Sequence, residues 1–370
     1  MRDVLNRLLE WWNVGEPVAM GTVVRTWKSA PRQPGAAMLV GPDGVVVGSV
    51  SGGCVESAVY AAAEEVLAGA EPRVEHYGVS DDDAFAVGLT CGGEIDVFVE
   101  RIDRTTLPGL GELAADIIAR RPVALATALG GRRPATHLVI RPDERLGTLG
   151  SDRLDDAVTD DARGMVESAM TGIRRYGLDG ERRLDDLSVF VQSFAPPPRM
   201  LVFGAIDFAA AVARIGAFLG YHVTVCDARE TFATAARFPE AHEVIVQWPH
   251  EYLAGTVVDE RTVICVLTHD PKFDVPLLEL ALRTPAAYVG AMGSRRTHDD
   301  RVKRLRERGL GEAELARLAA PIGLDIGART PEETAVSIAA EIVSARWGGT
   351  GRRLAETTGP IHHDEPPATP

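Results

Sequence analysis

Long apolar runs are missing from this chain: no stretch of its 370 residues approaches the roughly 20 apolar residues a membrane-spanning helix requires. The first twelve residues alternate charged and apolar side chains at helical spacing rather than forming the apolar block of a secretion signal, so a cytoplasmic location is expected. Cysteine is scarce. Cys54, Cys91, Cys226 and Cys265 are too few for a disulfide framework and show no paired metal-ligand spacing. Positive charge is also short, with 39 Lys and Arg against 53 Asp and Glu. The resulting formal charge of −14 repels a phosphodiester backbone, which argues against a nucleic-acid partner. The one dense basic run, 295–308, is broken by Asp299, Asp300 and Glu307 and reads as a solvated helix face.

What is present is an ordinary globular composition, 45% hydrophobic and 25% charged, in a chain long enough for two domains. Residues 1–194 read as an α+β domain: β-rich runs at 18–25, 36–40, 45–49 and 94–100 with a helix at 56–67, then a motif-free stretch from 110 that completes it. No internal repeat is evident in the sequence. Ala195-Pro196-Pro197-Pro198-Arg199 fits neither helix nor central strand and is read as a linker. From 200 to 346, continuous apolar strands alternate with amphipathic helices, the pattern of a Rossmann-like, doubly wound parallel sheet. Thr330-Pro331-Glu332-Glu333 marks the start of the last helix as a capping box with proline at its first position. Residues 347–370, including His362 and His363, read as a flexible tail. The fold class is thus α/β, with a front α+β domain joined to a rear Rossmann-like one.

Chemistry concentrates in a few loops. In the segment GSVSGGCVE (48–56) a strand runs through Gly52 and Gly53 into a helix expected to start near Cys54. Free amides at a helix start favour an anion, and the same end of the helix stabilises a thiolate. The loop is therefore a candidate phosphate cradle, with Cys54 a nucleophile or soft-metal ligand and Glu56 beside it. Cys91-Gly92-Gly93 is a second glycine-flanked thiol ahead of a strand, so both thiols are expected on loops at a sheet edge. Cys226 and Cys265 lie inside apolar runs and read as core.

In the rear domain, Gly204-Ala205-Ile206-Asp207-Phe208-Ala209 stands where a dinucleotide fold carries its glycine fingerprint, but Ile206 replaces the glycine that lets the backbone approach a pyrophosphate. Asp227 occupies the place expected to bind a ribose hydroxyl or to cap a turn. The loop Gly290-Ala291-Met292-Gly293-Ser294-Arg295-Arg296, with Ser294 as N-cap, is the better anion cradle, and His269 reads as a loop histidine.

Taken together, GSVSGGCVE, TCGGEIDVFVE, LVFGA, VTVCDAR, VLTHDPKFD, YVGAMGSRR and PIGLDIGARTPEE resemble, in order, the XdhC/CoxI family of xanthine dehydrogenase accessory factors. The resemblance implies a chaperone rather than a catalyst. Such a protein binds the molybdenum cofactor (molybdopterin), shields it during sulfuration, and delivers it to a xanthine dehydrogenase- or CO dehydrogenase-type hydroxylase. It also implies a cysteine desulfurase as a further partner and a homodimer. Cys54 and Cys91 would then contact the molybdenum or its sulfur. The family's G-A-G-H turn is altered here to Gly204-Ala205-Ile206-Asp207. Two other readings stand beside it: an NAD(P)-dependent oxidoreductase using the rear domain, which Ile206 opposes, and a non-catalytic interaction scaffold.

Overall fold

A computed structural model describes residues 1–27, 30, 32–78, 93–268 and 270–358. The chain divides into two compact units between Pro196 and Pro197, and each is taken by itself. No helix among the described residues is long and apolar enough to cross a membrane.

The front unit uses one arrangement of elements twice. The first set is α1 (Leu5–Val14), β1 (Val18–Trp27), β2 (Ala37–Val40), β3 (Val46–Gly48), α2 (Glu56–Leu67), β4 (Arg73–Tyr77) and β5 (Glu94–Ile102). The second is α3 (Leu110–Ile118), β6 (Val123–Ala128), β7 (His137–Ile140), β8 (Arg145–Gly147), α4 (Asp152–Glu167), β9 (Gly172–Tyr176) and β10 (Leu187–Phe194). Each set builds an antiparallel sheet, in the orders β3-β2-β1-β5-β4 and β8-β7-β6-β10-β9. The absence of a repeat expected from the sequence is therefore corrected, and the stretch from 110 is a second copy rather than a completion. The likeness extends to single bonds. Val23 N–H donates to Ala36 and Gly35 N–H to Val23 in the first copy, as Ala128 does to Thr136 and Ala135 to Ala128 in the second. Gly48 (φ +87°) and Gly147 (φ +97°) each hold a conformation a Cβ would spoil, since it would stand 2.4 Å from the carbonyl oxygen of Ala37 or His137. Geometry is conserved between the copies while most side chains differ, so identity-based reading misses it.

Strands β4, β8 and β9 are edge strands whose side chains lie largely at the surface, so they lack the apolar alternation that marked the others. Helix α4 begins at Asp152 because the Ser151 side chain caps it, accepting the N–H of Leu154.

The rear unit runs β11 (Arg199–Phe203), α5 (Asp207–Phe218), β12 (His222–Asp227), β13 (Glu243–Val246), α6 (Pro249–Gly255), β14 (Val263–Val266), α7 (Pro271–Ala281), β15 (Tyr288–Ala291), α8 (Arg295–Glu307), α9 (Glu312–Leu315), β16 (Leu318–Ala319) and α10 (Pro331–Trp347). Its described strands form a parallel sheet in the order β13-β12-β11-β14-β15-β16. Apolar clusters cover both faces: Met200, Val202, Val223 and Val225 with α5 and α10 on one, Leu201, Phe203, Ile264 and Val266 with α7 on the other. This is the doubly wound architecture the alternation predicts, with the chain order reversing between β11 and β14. Helix α7 starts at Pro271, where Asp270 caps it by accepting the N–H of Lys272 and the proline opens it. The capping box of α10 is formed by Thr330 and Glu333.

In the front unit each sheet has two covered faces. Ala19 and Val23 of β1 pack with Val59 of α2, while Val18 and Met20 face a cluster shared by both copies, with Leu8, Leu110, Leu125 and Val139. Full burial of each large side chain there contributes about 1.5–3 kcal/mol. Polar groups cross between the copies at corresponding places. Glu100 is paired with Met20 across the sheet as Gln192 is with Leu125. Gln192 donates its side-chain amide to the carbonyl of Gly35 at 2.9 Å. Glu100 stands 2.9 Å from Nε2 of His137, both side chains 2% exposed, and the other ring nitrogen of His137 is 3.0 Å from the carbonyl of Thr106.

Burial disfavours a charge on His137, but the Glu100 carboxylate outweighs it and raises the imidazole pKa above its ordinary 6.5. The folded chain thus keeps a proton that the unfolded chain loses first. Stability from this pair is complete below pH ~6.5 and declines as pH rises through the folded value. Glu100→Gln should lower the front unit's stability by about 3–5 kcal/mol in urea unfolding at pH 6 and flatten the fall toward alkaline pH. An unchanged pH profile would show that the pair does not carry the linkage.

Candidate functional site

The loop between β3 and α2 is organised around a carboxylate. Glu56, the first residue of α2, turns its side chain back over the preceding residues. It accepts the N–H groups of Val50, Ser51, Gly52 and Gly53 at 2.9–3.2 Å and the hydroxyls of Ser49 and Ser51 at 2.6 Å. Burial alone would raise its pKa, but the two hydroxyls and the backbone amides bring it down to about 2. The phosphate cradle expected here is corrected by this geometry, because the amides of Gly52 and Gly53 already hold the chain's own carboxylate. The helix begins at Glu56, as its apolar pattern predicts, so the thiol stands in the loop ahead of the first turn. Cys54 is half-buried against the cluster beneath α2, and its N–H donates to the Ser51 hydroxyl at 3.0 Å.

The second copy has the same device in reduced form. Asp155 in α4, 2% exposed, accepts the N–H of Leu149 at 2.7 Å, as Glu56 accepts that of Val50. Counting in step from Gly48 and Gly147 sets Asp155 opposite Glu56 and Arg153 opposite Cys54. One copy alone therefore offers a thiol.

Of the other front-domain candidates, Cys91 and Gly92 lie outside the described residues. Gly93 is buried just ahead of β5, whose first residue Glu94 pairs with Trp27 at the end of β1. Strand directions point that position and the end of β3 toward the same end of the sheet, with Gly48 in register with Gly21 through Met38. Cys226 and Cys265 are core, 1% and 0% exposed, and burial pushes both thiols up to about 12. His269, His362 and His363 lie outside the described residues. Among the described residues no group of three or more His, Cys, Asp or Glu is placed to hold a metal ion.

In the rear unit the fingerprint turn is closed by its own acid. Asp227, 3% exposed, accepts the N–H of Ala205 at 2.7 Å, and Arg229 grips its two oxygens at 2.9 and 2.8 Å. Burial opposes its ionisation, yet Arg229 and the Ala205 amide hold the carboxyl below the usual range. The ribose contact expected of Asp227 is corrected: both oxygens are engaged, and the turn-capping role is the observed one. Ile206 caps α5 with extended backbone (φ −116°) and packs against the core. Gly204 adopts φ +109° where a Cβ would come within 3.1 Å of the Thr268 backbone, so this turn and the end of β14 meet closely. Gly290 belongs to β15 rather than to the following loop; a Cβ there would strike Ile322 at 2.5 Å, which makes it a packing glycine. Gly293 and Ser294 form the turn into α8, Ser294 caps that helix by accepting the N–H of Thr297, and Arg295 is exposed.

Sequence profiles match both units. That of the XdhC Rossmann domain covers residues 200–342, and that of the XdhC and CoxI family covers 11–78 and again 117–177. This chain belongs to the XdhC and CoxI family. The two segments of the second match fall at corresponding places in the two copies of the front unit. The protein is 26% identical over 333 residues to a probable xanthine dehydrogenase subunit of Bacillus subtilis, covering 90% of this chain and 94% of that one. It is 28% identical over 345 residues to the molybdenum cofactor insertion chaperone PaoD of Escherichia coli, covering 93% and 88%. A crystal structure of a xanthine dehydrogenase from Bacillus halodurans has the same fold, with TM-score 0.67 and 24% identity over 95% of this chain and 97% of that one.

In this XdhC and CoxI family member the order of the thiol loop rests on Glu56. Glu56→Gln should accelerate amide hydrogen exchange at Val50 to Gly53 by about 10–100-fold, the loss of about 1–3 kcal/mol of local stability. Because the carboxyl pKa is lowered, the wild-type contribution is present above its ordinary 4.5 and is lost as pH falls toward about 2. Exchange rates unchanged by the substitution would show that the loop is held by something else.

Proposed function

We propose that this chain is an accessory protein in the maturation of a molybdenum hydroxylase of the xanthine dehydrogenase or CO dehydrogenase type. It carries the molybdenum cofactor as cargo, with the thiol loop at Cys54 as the contact in the front unit; the turn into α8 at Gly293 to Arg295 is a separate candidate for an anion in the rear unit. The hydroxylase is its partner, a cysteine desulfurase supplies sulfur to the cargo, and the working form is a homodimer in the cytoplasm. The cofactor brings a soft, sulfur-bearing molybdenum centre and a phosphate; a thiolate suits the first and helix-start amides suit the second. Cys91 joins the thiol side of the site on this reading.

The observation that carries the proposal is the asymmetry of the duplicated front unit. The same loop scaffold occurs twice, yet a half-buried thiol on a carboxylate-ordered loop occurs in the first copy, with Arg153 at the corresponding place in the second. Support also comes from the insertion chaperone of Escherichia coli, whose likeness runs through 93% of this chain.

Chain purified anaerobically from molybdenum-replete cells should retain a pterin, read as the fluorescence of its oxidised form. Cys54→Ala should cut the retained pterin ~10-fold or more, the size of loss typical for perturbing a metal contact, while Arg153→Ala should leave it unchanged. A chain that never retains pterin overturns the cargo reading. Full activation of the hydroxylase by Cys54→Ala would favour the scaffold instead.

A further inference from the structure

Arg301 carries an unmet donor in the rear unit. It lies in the second turn of α8, 3% exposed, and its Nη2 donates to Asp274 at 2.7 Å and to the carbonyl of Met292 at 2.8 Å. Asp274 also accepts the hydroxyl of Thr268, which ties the pair to the end of β14. Nη1 of the same guanidinium is buried and has no acceptor among the described residues. Buried charged donors are seldom left so, because an unmade hydrogen bond there costs the full desolvation of the group.

The guanidinium stands under the turn into α8. A Cβ on Gly293 would lie 3.6 Å from Nη2 and 3.2 Å from the Thr297 side chain. Above it, the N–H groups of Gly293, Ser294, Arg295 and Arg296 donate to no described residue, and the Ser294 hydroxyl oxygen is engaged by Thr297. The turn belongs to the carboxyl edge of the sheet. There Thr268, bound to the same Asp274, also approaches the Gly204 turn at the point where strand order reverses.

We propose that Arg301, whose Nη1 lacks an acceptor among the described residues, and the open amides at the start of α8 form a binding site for a phosphate monoester. Several converging amides, a fixed guanidinium nitrogen and the flanking Arg295 and Arg296 suit a tetrahedral dianion better than a planar carboxylate. Asp274 and Thr268 are positioning residues: they hold the guanidinium by its other nitrogen so that Nη1 stays available. The inference rests on reading this turn as an anion cradle and is independent of the thiol loop.

The test is calorimetric titration of the full chain with inorganic phosphate, then with adenosine monophosphate and with a phosphorylated pterin. Saturable phosphate binding is expected in the wild type. Arg301→Lys keeps the ion pair with Asp274 but removes the second nitrogen, and should bind about 10-fold or more weakly. Should that variant misfold, Asp274→Leu with Arg301→Met replaces the buried pair by apolar side chains of similar size and should abolish binding in a folded chain. Arg153→Ala should bind phosphate as the wild type does, and phosphate titration is read separately from the pterin retained by Cys54→Ala, so failure of the anion site and failure of the thiol reading give different results. Tighter binding of the pterin supports the site and assigns it to the cargo; tighter binding of adenosine monophosphate supports it and assigns it to a nucleotide. Absence of saturable phosphate binding in the wild type, or equal binding by a folded Arg301→Lys chain, overturns the proposal.

Discussion

The loop that presents Cys54 keeps its shape because a single carboxylate gathers four consecutive backbone N–H groups and two hydroxyls. A turn rich in glycine gains no order from its side chains, and its amides would otherwise face water in many conformations. Glu56 replaces that water with one anion fixed at the head of α2. The strand pairings on one side and the packing of α2 on the other then leave the thiol at one place at the end of the sheet. Asp155 does the same with one amide in the second copy, where no thiol has to be presented. The duplicated frame supplies a carboxylate-held loop twice and a thiol once.

The rear unit uses the same kind of carboxylate anchor with opposite results at two turns. At the fingerprint turn, Asp227 closes on the Ala205 amide and on Arg229, so the acid that would read a ribose is taken up by the turn itself. At the turn into α8, Asp274 takes only one nitrogen of Arg301 and leaves the other buried without an acceptor among the described residues. The first arrangement is internally satisfied, whereas the second lacks one oxygen. The unmet hydrogen bond therefore falls not on the residues a nucleotide fold makes conspicuous but on an arginine in the middle of a basic helix.

Much of the fold was legible because burial imposes period. Helix 56–67 has the bounds its apolar pattern predicts, the strand-helix alternation from 200 onward is the parallel sheet, and the α10 capping box names its own first turn. Among the elements that escaped, β4, β8 and β9 lie at sheet edges where little is buried. The repeat escaped for a related reason: Gly48 and Gly147 or Glu56 and Asp155 correspond through backbone geometry, with few identities between them to flag it. Arg301 was hidden among Arg295, Arg296, Arg304, Arg306 and Arg308, since a charge pattern along a helix cannot say which member turns inward.

By itself the sequence determined that there are two units of different architecture, that the rear one is a parallel doubly wound sheet, and that glycine-rich loops stand at Cys54 and at Gly293. These follow from hydrophobic period, proline placement and glycine-rich loops, all of which act over a few residues. Only the tertiary structure decided that the front unit is a duplication, that Glu56 and Asp227 occupy the amides they adjoin, and that Arg301 keeps a buried donor with no acceptor among the described residues. Those outcomes depend on which polar groups meet once water is excluded, and partners such as Glu100 and His137, or Asp274 and Arg301, are brought together by folding from positions the chain holds far apart.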